Sequence, residues 1–167
     1  MKTENKALME AYAQLEKATP LGRMNCGELC GAVCCTEKTG DSMELFPYEK
    51  ELFEFAEGFE IIEGEVNLVK CNGKCNRSER PLACRIYPLF PMVVEENGEE
   101  KISVIYDPRA KSSCPLCAER EKLDRRFVRA VRRAGKYLLK DPSAASHLRT
   151  TSEYLKELIE LDVLLNG

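Results

Sequence analysis

The chain has 167 residues, 44% of them apolar and 32% charged, and its formal net charge is −3. That is enough chain for one domain with a core of its own, no stretch approaches the roughly 18 uninterrupted apolar residues of a membrane helix, and the first ten residues lack the apolar run of a secretory signal. The sequence therefore reads as a cytoplasmic protein with no membrane partner, and a charge balance this close to neutral argues neither for nor against nucleic acid.

Ala7, Leu8, Ala11, Tyr12 and Leu15 recur at helical spacing and predict an amphipathic helix over Glu4 to Ala18, ended by Thr19-Pro20-Leu21-Gly22. Phe46-Pro47-Tyr48 opens a short helix from Glu49 to Glu57, stopped by Gly58. Ile61, Ile62, Val66, Leu68 and Val69 predict strand over Glu60 to Lys70, with a break at Gly64. Pro81, Pro88 and Pro91 predict extended, non-helical chain. Met92 to Tyr106 is a hairpin pattern around Asn97-Gly98, the favoured pair for a tight type I′ turn. A long helix then carries Leu116, Leu123, Phe127, Ala130, Val131, Ala134 and Leu138 along one face. A last helix, Thr151 to Leu165, turns Tyr154, Leu155, Leu158, Leu161 and Leu165 inward. The fold class is α+β, a single domain over 1–167. Its parts are a cysteine-cluster core at 24–91, a hairpin at 92–106, a cysteine knuckle at 114–117 and a helical C-terminal part at 118–166.

Nine cysteines fall in three groups: Cys26, Cys30, Cys34 and Cys35; Cys71, Cys75 and Cys84; Cys114 and Cys117. In a reducing compartment such clusters bind metal or do redox chemistry rather than form structural disulfides. Cys26, Cys30 and Cys34 stand four residues apart, so on a helix their sulfurs would share one face. Cys34 and Cys35 are adjacent and diverge in either helix or strand, which argues against both serving one mononuclear zinc. Cys71-Asn72-Gly73-Lys74-Cys75 reads as a glycine-containing knuckle, and Cys114-Pro115-Leu116-Cys117 as two ligands at a helix N-terminus, where the dipole favours thiolate. Four thiolates on one zinc leave a net charge of −2, which Arg85, beside Cys84, would offset. Eight cysteines would fill two tetrahedral zinc sites, and four would hold one [4Fe–4S] cluster. Thiolates alone do not separate zinc from iron–sulfur.

Cys26-x3-Cys30-Gly31-x2-Cys34-Cys35, Cys71-x3-Cys75 and Arg80-Pro81-x2-Cys84-Arg85-x-Tyr87-Pro88, in that order, resemble the YkgJ-like cysteine-cluster family of zinc- or iron-chelating proteins. The resemblance spans residues 24 to 91. It implies that Cys26, Cys30, Cys34, Cys35, Cys71, Cys75 and Cys84 are metal ligands, with Cys114 and Cys117 in an extension. The first cluster here has gaps of three residues where the family pattern has two. Related clusters occur in flagellin lysine N-methylases, which are larger.

Other readings are weaker on the residues. A radical enzyme using S-adenosylmethionine needs C-x3-C-x2-C, which Cys26, Cys30 and Cys34 miss by one position. A dithiol oxidoreductase at Cys114 and Cys117 lacks the surrounding βαβ pattern. An iron–sulfur-dependent redox or methyl-transfer enzyme is the alternative to simple chelation. Arg125, Arg126, Arg129, Arg132, Arg133, Lys136 and Lys140 make a basic stripe with no acidic residue among them. It is a nucleic-acid surface or, as the favoured reading, a solvated face paired with Glu153, Glu157 or Glu160. His147, the one histidine, is expected at the surface or in a capping role.

Overall fold

The computed structural model describes residues 5–22, 24–35, 42–71, 73, 75–118 and 123–166. They form a small α+β domain, with a helical body on one side and a cysteine-bearing flank on the other. The elements in order are α1 (Lys6–Leu15), α2 (Cys26–Cys30), β1 (Met43–Glu44), α3 (Lys50–Phe53), β2 (Phe59–Ile62), β3 (Leu68–Cys71), α4 (Leu82–Ile86), β4 (Leu89–Glu96), β5 (Glu99–Tyr106), α5 (Arg125–Leu138) and α6 (Pro142–Asn166).

The body is organised by α5. Asp124 caps it, its side chain accepting the Arg126 N–H at 2.6 Å. Phe127, Ala130, Val131, Ala134 and Leu138 recur on one stripe and are all buried, as their spacing predicts. Leu8, Ala11 and Leu15 of α1 lie in the same apolar cluster. The β4–β5 hairpin pairs antiparallel in the register Leu89↔Tyr106 to Glu96↔Glu99. Asn97 and Gly98 at its tip have φ of 55° and 78°, the two left-handed positions a type I′ turn requires.

Gly135 fixes how closely the hairpin sits on α5. A Cβ there would lie 2.6 Å from Pro91 Cβ and 3.0 Å from Ile102 Cγ2. Gly135→Ala is therefore expected to destabilise the domain by about 1–3 kcal/mol through overpacking, despite the gain of about 1 kcal/mol in helix propensity. A lower urea midpoint with an unchanged slope would show it; a higher midpoint would mean that the hairpin yields.

The cysteine-bearing flank is built on a three-stranded antiparallel sheet of order β1-β3-β2, with a small core of Leu45, Phe53 and Val69. The strand predicted over Glu60 to Lys70 is in fact β2 and β3, broken around Gly64 as expected.

Three expectations need correction. The proline-rich stretch is not wholly extended: α4 forms between Pro81 and Pro88, with Pro81 just ahead of the first turn, where a missing N–H costs nothing. The last helix begins at Pro142, where Asp141 caps it by accepting the Ala144 N–H at 2.8 Å. Its predicted inward face is only partly so: Leu155 is buried but Tyr154, beside it, is exposed, and beyond Leu158 Leu161 and Leu165 are exposed because the helix outruns the body it packs on.

Candidate metal centre

The first cysteine group is not one continuous helix. Asn25 caps α2 by accepting the Gly27 N–H. Gly31, at φ +65°, ends it in the left-handed conformation that suits glycine. Cys34 and Cys35 then sit on a separate 3₁₀ turn, Val33–Cys35. The helix carries only Cys26 and Cys30, so the expected single face of Cys26, Cys30 and Cys34 is not present. The break lets Cys34 and Cys35 turn to different neighbours.

The second group is pressed onto the first. Cys71 ends β3, in register with Phe59 of β2. Gly73 follows at φ +76°, and a Cβ there would come 2.5 Å from the Cys35 carbonyl oxygen. Only glycine permits both that backbone and that approach. Asn72 and Lys74 of the predicted knuckle lie outside the described residues. Cys84 arrives on α4. The third group is a 3₁₀ turn, Pro115–Cys117, held where the Cys114 N–H donates to the Ala110 carbonyl at 2.8 Å. It is not the N-terminus of the long helix, which begins at Arg125.

None of the nine cysteines is in a disulfide, and all are half-buried. Six of them, Cys26, Cys34, Cys35, Cys71, Cys75 and Cys84, line one cavity of about 430 Å³. Their electrostatic neighbours divide them into two sets. Burial raises the Cys84 thiol, and Cys35, Cys71 and Cys75 raise it further. Burial raises Cys75 too, Arg80 opposes this, and Cys71 and Cys35 add to it. Cys75 and Cys84 thus neighbour each other, and both neighbour Cys35 and Cys71. On the other side, burial raises Cys26, with Cys30 and Cys114 adding to it. Burial likewise raises Cys114, which neighbours Cys30 and Cys117. Cys34 and Cys35 meet at the seam, 3.8 Å apart. The hydrogen bond between them raises Cys34, which also neighbours Cys26 and Cys30, and lowers Cys35.

The expected charge partner changes. Arg85 donates from Nε to the Arg80 carbonyl and from Nη2 to the Ser78 carbonyl, and its guanidinium lies over the Tyr12 ring at 4.5 Å. Arg80 lies beside the thiols instead, with Cys75, Cys35 and Cys84 as its charge neighbours. Its Nε is buried with no hydrogen-bond partner among the described residues. Arg77 is anchored instead, its guanidinium donating to the Leu15 and Ala18 carbonyls at the end of α1.

The donor set suits a thiophilic metal. Crowding by other thiols helps to raise Cys26, Cys75, Cys84 and Cys114, whereas a bound cation inverts that repulsion and favours thiolate. Among the described residues no three Cys, His, Asp or Glu side chains stand close enough to hold an ion as placed, so ligation requires the sulfurs to draw inward.

The cavity is also lined by a group of polar side chains, Glu44, Asp107, Arg109 and His147, that the sequence did not reveal. Asp107 is buried and accepts from Arg109 Nε at 2.9 Å and Nη2 at 2.7 Å. Arg109 Nη1 reaches Glu44 at 3.4 Å. His147 is neither at the surface nor a cap. It packs edge-on against Phe46, with ring centroids 4.8 Å apart, and its Nε2 stands 4.0 Å from Glu44. Burial lowers its pKa, against the opposing charge of Glu44. No spacing in the sequence links residues 44, 107, 109 and 147.

No described helix is long and apolar enough to cross a membrane. Comparison of the chain with protein-family models, with curated proteins and with solved structures finds no match.

Proposed function

We propose that this protein binds metal through two adjacent thiolate sites, as zinc or as an iron–sulfur centre, in the manner of the YkgJ-like cysteine-cluster proteins whose motifs it resembles. Cys35, Cys71, Cys75 and Cys84 would hold one site. Cys26, Cys30, Cys114 and Cys117 would hold the other, with Cys34 at the seam. One observation carries the reading: Cys26, Cys34, Cys35, Cys71, Cys75 and Cys84, spread over 59 positions, line one cavity, and Cys114 neighbours Cys26 and Cys30 beside it; four thiolates suffice for tetrahedral ligation. The metal supplies the charge that lets these thiols ionise together. The chain supplies the rest: Gly73 allows the second segment to reach the first, α4 positions Cys84, and Arg80 offsets the excess negative charge. A cytoplasmic setting, which keeps free thiols reduced, goes with this reading.

The test is the metal content and visible spectrum of protein purified without oxygen. About two colourless zinc ions per chain support closed sites, and a brown protein with about four irons supports a [4Fe–4S] centre. Protein that takes up neither metal overturns the proposal.

The cavity favours a second reading, an iron–sulfur-dependent redox or methyl-transfer enzyme. Besides the sulfurs it has room and the polar side chains of Glu44, Asp107, Arg109 and His147. Reversible bleaching of the visible band by dithionite would support that reading, and a colourless zinc protein would remove it.

A further inference from the structure

The cations of α5 and the turn after it have no role in the metal reading. Arg125, Arg126, Arg129, Arg132, Arg133, Lys136 and Lys140 are all exposed. At 100° per residue they fall within about 120° of the helix circumference, along about 22 Å of its axis. The expected pairing with Glu153, Glu157 or Glu160 is not seen: none of the seven makes an ion pair among the described residues. Charge is strongly segregated. This stretch carries seven cations and no acid, so the rest of the chain has a net charge of −10 against −3 for the whole.

Local stability does not account for the stripe. Arg125 and Arg129, Arg129 and Arg133, and Arg132 and Lys136 are like-charge pairs four residues apart, which destabilise a helix by a few tenths of a kcal/mol each. Arg125 and Arg126 also stand at the positive end of the helix dipole. The helix forms because its opposite stripe is buried, so the cations are free to serve a partner.

We propose that this face of α5 docks on the phosphate backbone of a nucleic-acid duplex. A dense row of guanidinium and ammonium groups matches a row of phosphates. The acidic remainder of the surface would be repelled, which leaves this face to point at the polyanion. A membrane fits less well, because the apolar residues of α5 are turned into the core and none is left to enter lipid. A single strand also fits less well. The aromatic ring beside the stripe, Tyr137, has Lys140 Nζ over it at 4.9 Å and offers no open stacking platform.

Fluorescence anisotropy of a labelled DNA duplex, and of the same sequence as an RNA duplex, tests this with the metal-loaded full chain. Between roughly 50 and 200 mM salt, neutralising four or five phosphates gives a slope of log K against log salt of about −4. Replacing Arg129→Ala, Arg132→Ala and Lys136→Ala together should shrink that slope by about 3 while leaving the thermal melt and metal content unchanged. Three results would overturn the proposal: no binding to either duplex at the low-salt end, a slope unmoved by the triple variant, or tighter binding to a single strand or to anionic lipid vesicles than to duplex.

Discussion

Glu49→Ala is expected to cost about 3–5 kcal/mol, enough to unfold a domain of ordinary stability, which has only about 5–15 kcal/mol in total. Glu49 is fully buried. Its Oε1 accepts the Leu82 N–H at 2.6 Å and the Tyr12 hydroxyl, and its Oε2 accepts the Phe46 N–H at 2.7 Å. One side chain thus ties α1, the corner after β1 and the start of α4. Truncation leaves two buried backbone N–H groups and a phenol without their acceptor, at about 1–3 kcal/mol each. Tyr12→Phe removes a donor and leaves the carboxylate its other bonds, so it should cost only about 1 kcal/mol. Urea melts of both variants give the comparison; a loss below 1 kcal/mol for Glu49→Ala would mean that the carboxylate is not the clamp. Because Leu82 lies two residues before Cys84 on α4, a folded Glu49 variant should also hold metal less tightly.

The same group predicts a pH dependence. Burial raises the Glu49 carboxyl above its ordinary value of 4.5, against the hydrogen bonds from Tyr12, Leu82 and Phe46 and the charge of Arg85. The folded chain then keeps this proton to higher pH than the unfolded chain. Its contribution to stability is therefore full below pH 4.5 and is lost as pH rises through the folded value. The stability of the native chain relative to Glu49→Gln should fall over that window. A difference that stays flat or grows with pH would show that the hydrogen bonds outweigh burial.

Nothing in the sequence distinguishes Glu49 from the many other glutamates, because its importance comes from donors at positions 12, 46 and 82. Features set by neighbouring residues were legible. Asn97-Gly98 dictates the hairpin through its backbone preference, and the spacing of Phe127, Ala130, Val131, Ala134 and Leu138 dictates the buried face of α5. Features that depend on where a partner ends were not. The apolar period of α6 continues through Leu161 and Leu165, yet the body it packs on stops near Leu158. In the candidate centre, the three cysteine groups were visible as spacing. Their division into two sets was not, because it depends on Gly31 breaking α2 and on Gly73 admitting the Cys35 carbonyl. Arg85 was the natural charge partner by adjacency to Cys84. On a helix, however, neighbours in sequence point about 100° apart, and the cation that reaches the thiols comes from Arg80, four residues earlier.

Cys75→Ser and Cys117→Ser should each remove about half of the bound metal, and the double variant all of it. Each set then forms a separate centre, and losing one of four thiolates opens only that centre. Cys84→Ser should behave like Cys75→Ser, since both thiols neighbour Cys35 and Cys71. Metal analysis of the three single variants decides the matter: complete loss from any one of them would mean a single polynuclear centre shared by both sets. Stripping the native chain with a strong chelator should cause damage on one flank. Structural zinc contributes about 10–16 kcal/mol to small domains that fold around it, and among the described residues the sheet of β1, β2 and β3 has a small buried core of Leu45, Phe53 and Val69. Phe127, Leu148 and Leu155 belong to the other, larger cluster, which has no cysteine. Amide exchange should therefore accelerate over residues 26–35 and 68–84 after chelation, while the amides of α5 and the buried half of α6 stay protected. Uniform loss of protection would show that the two halves fold as one cooperative unit around the metal.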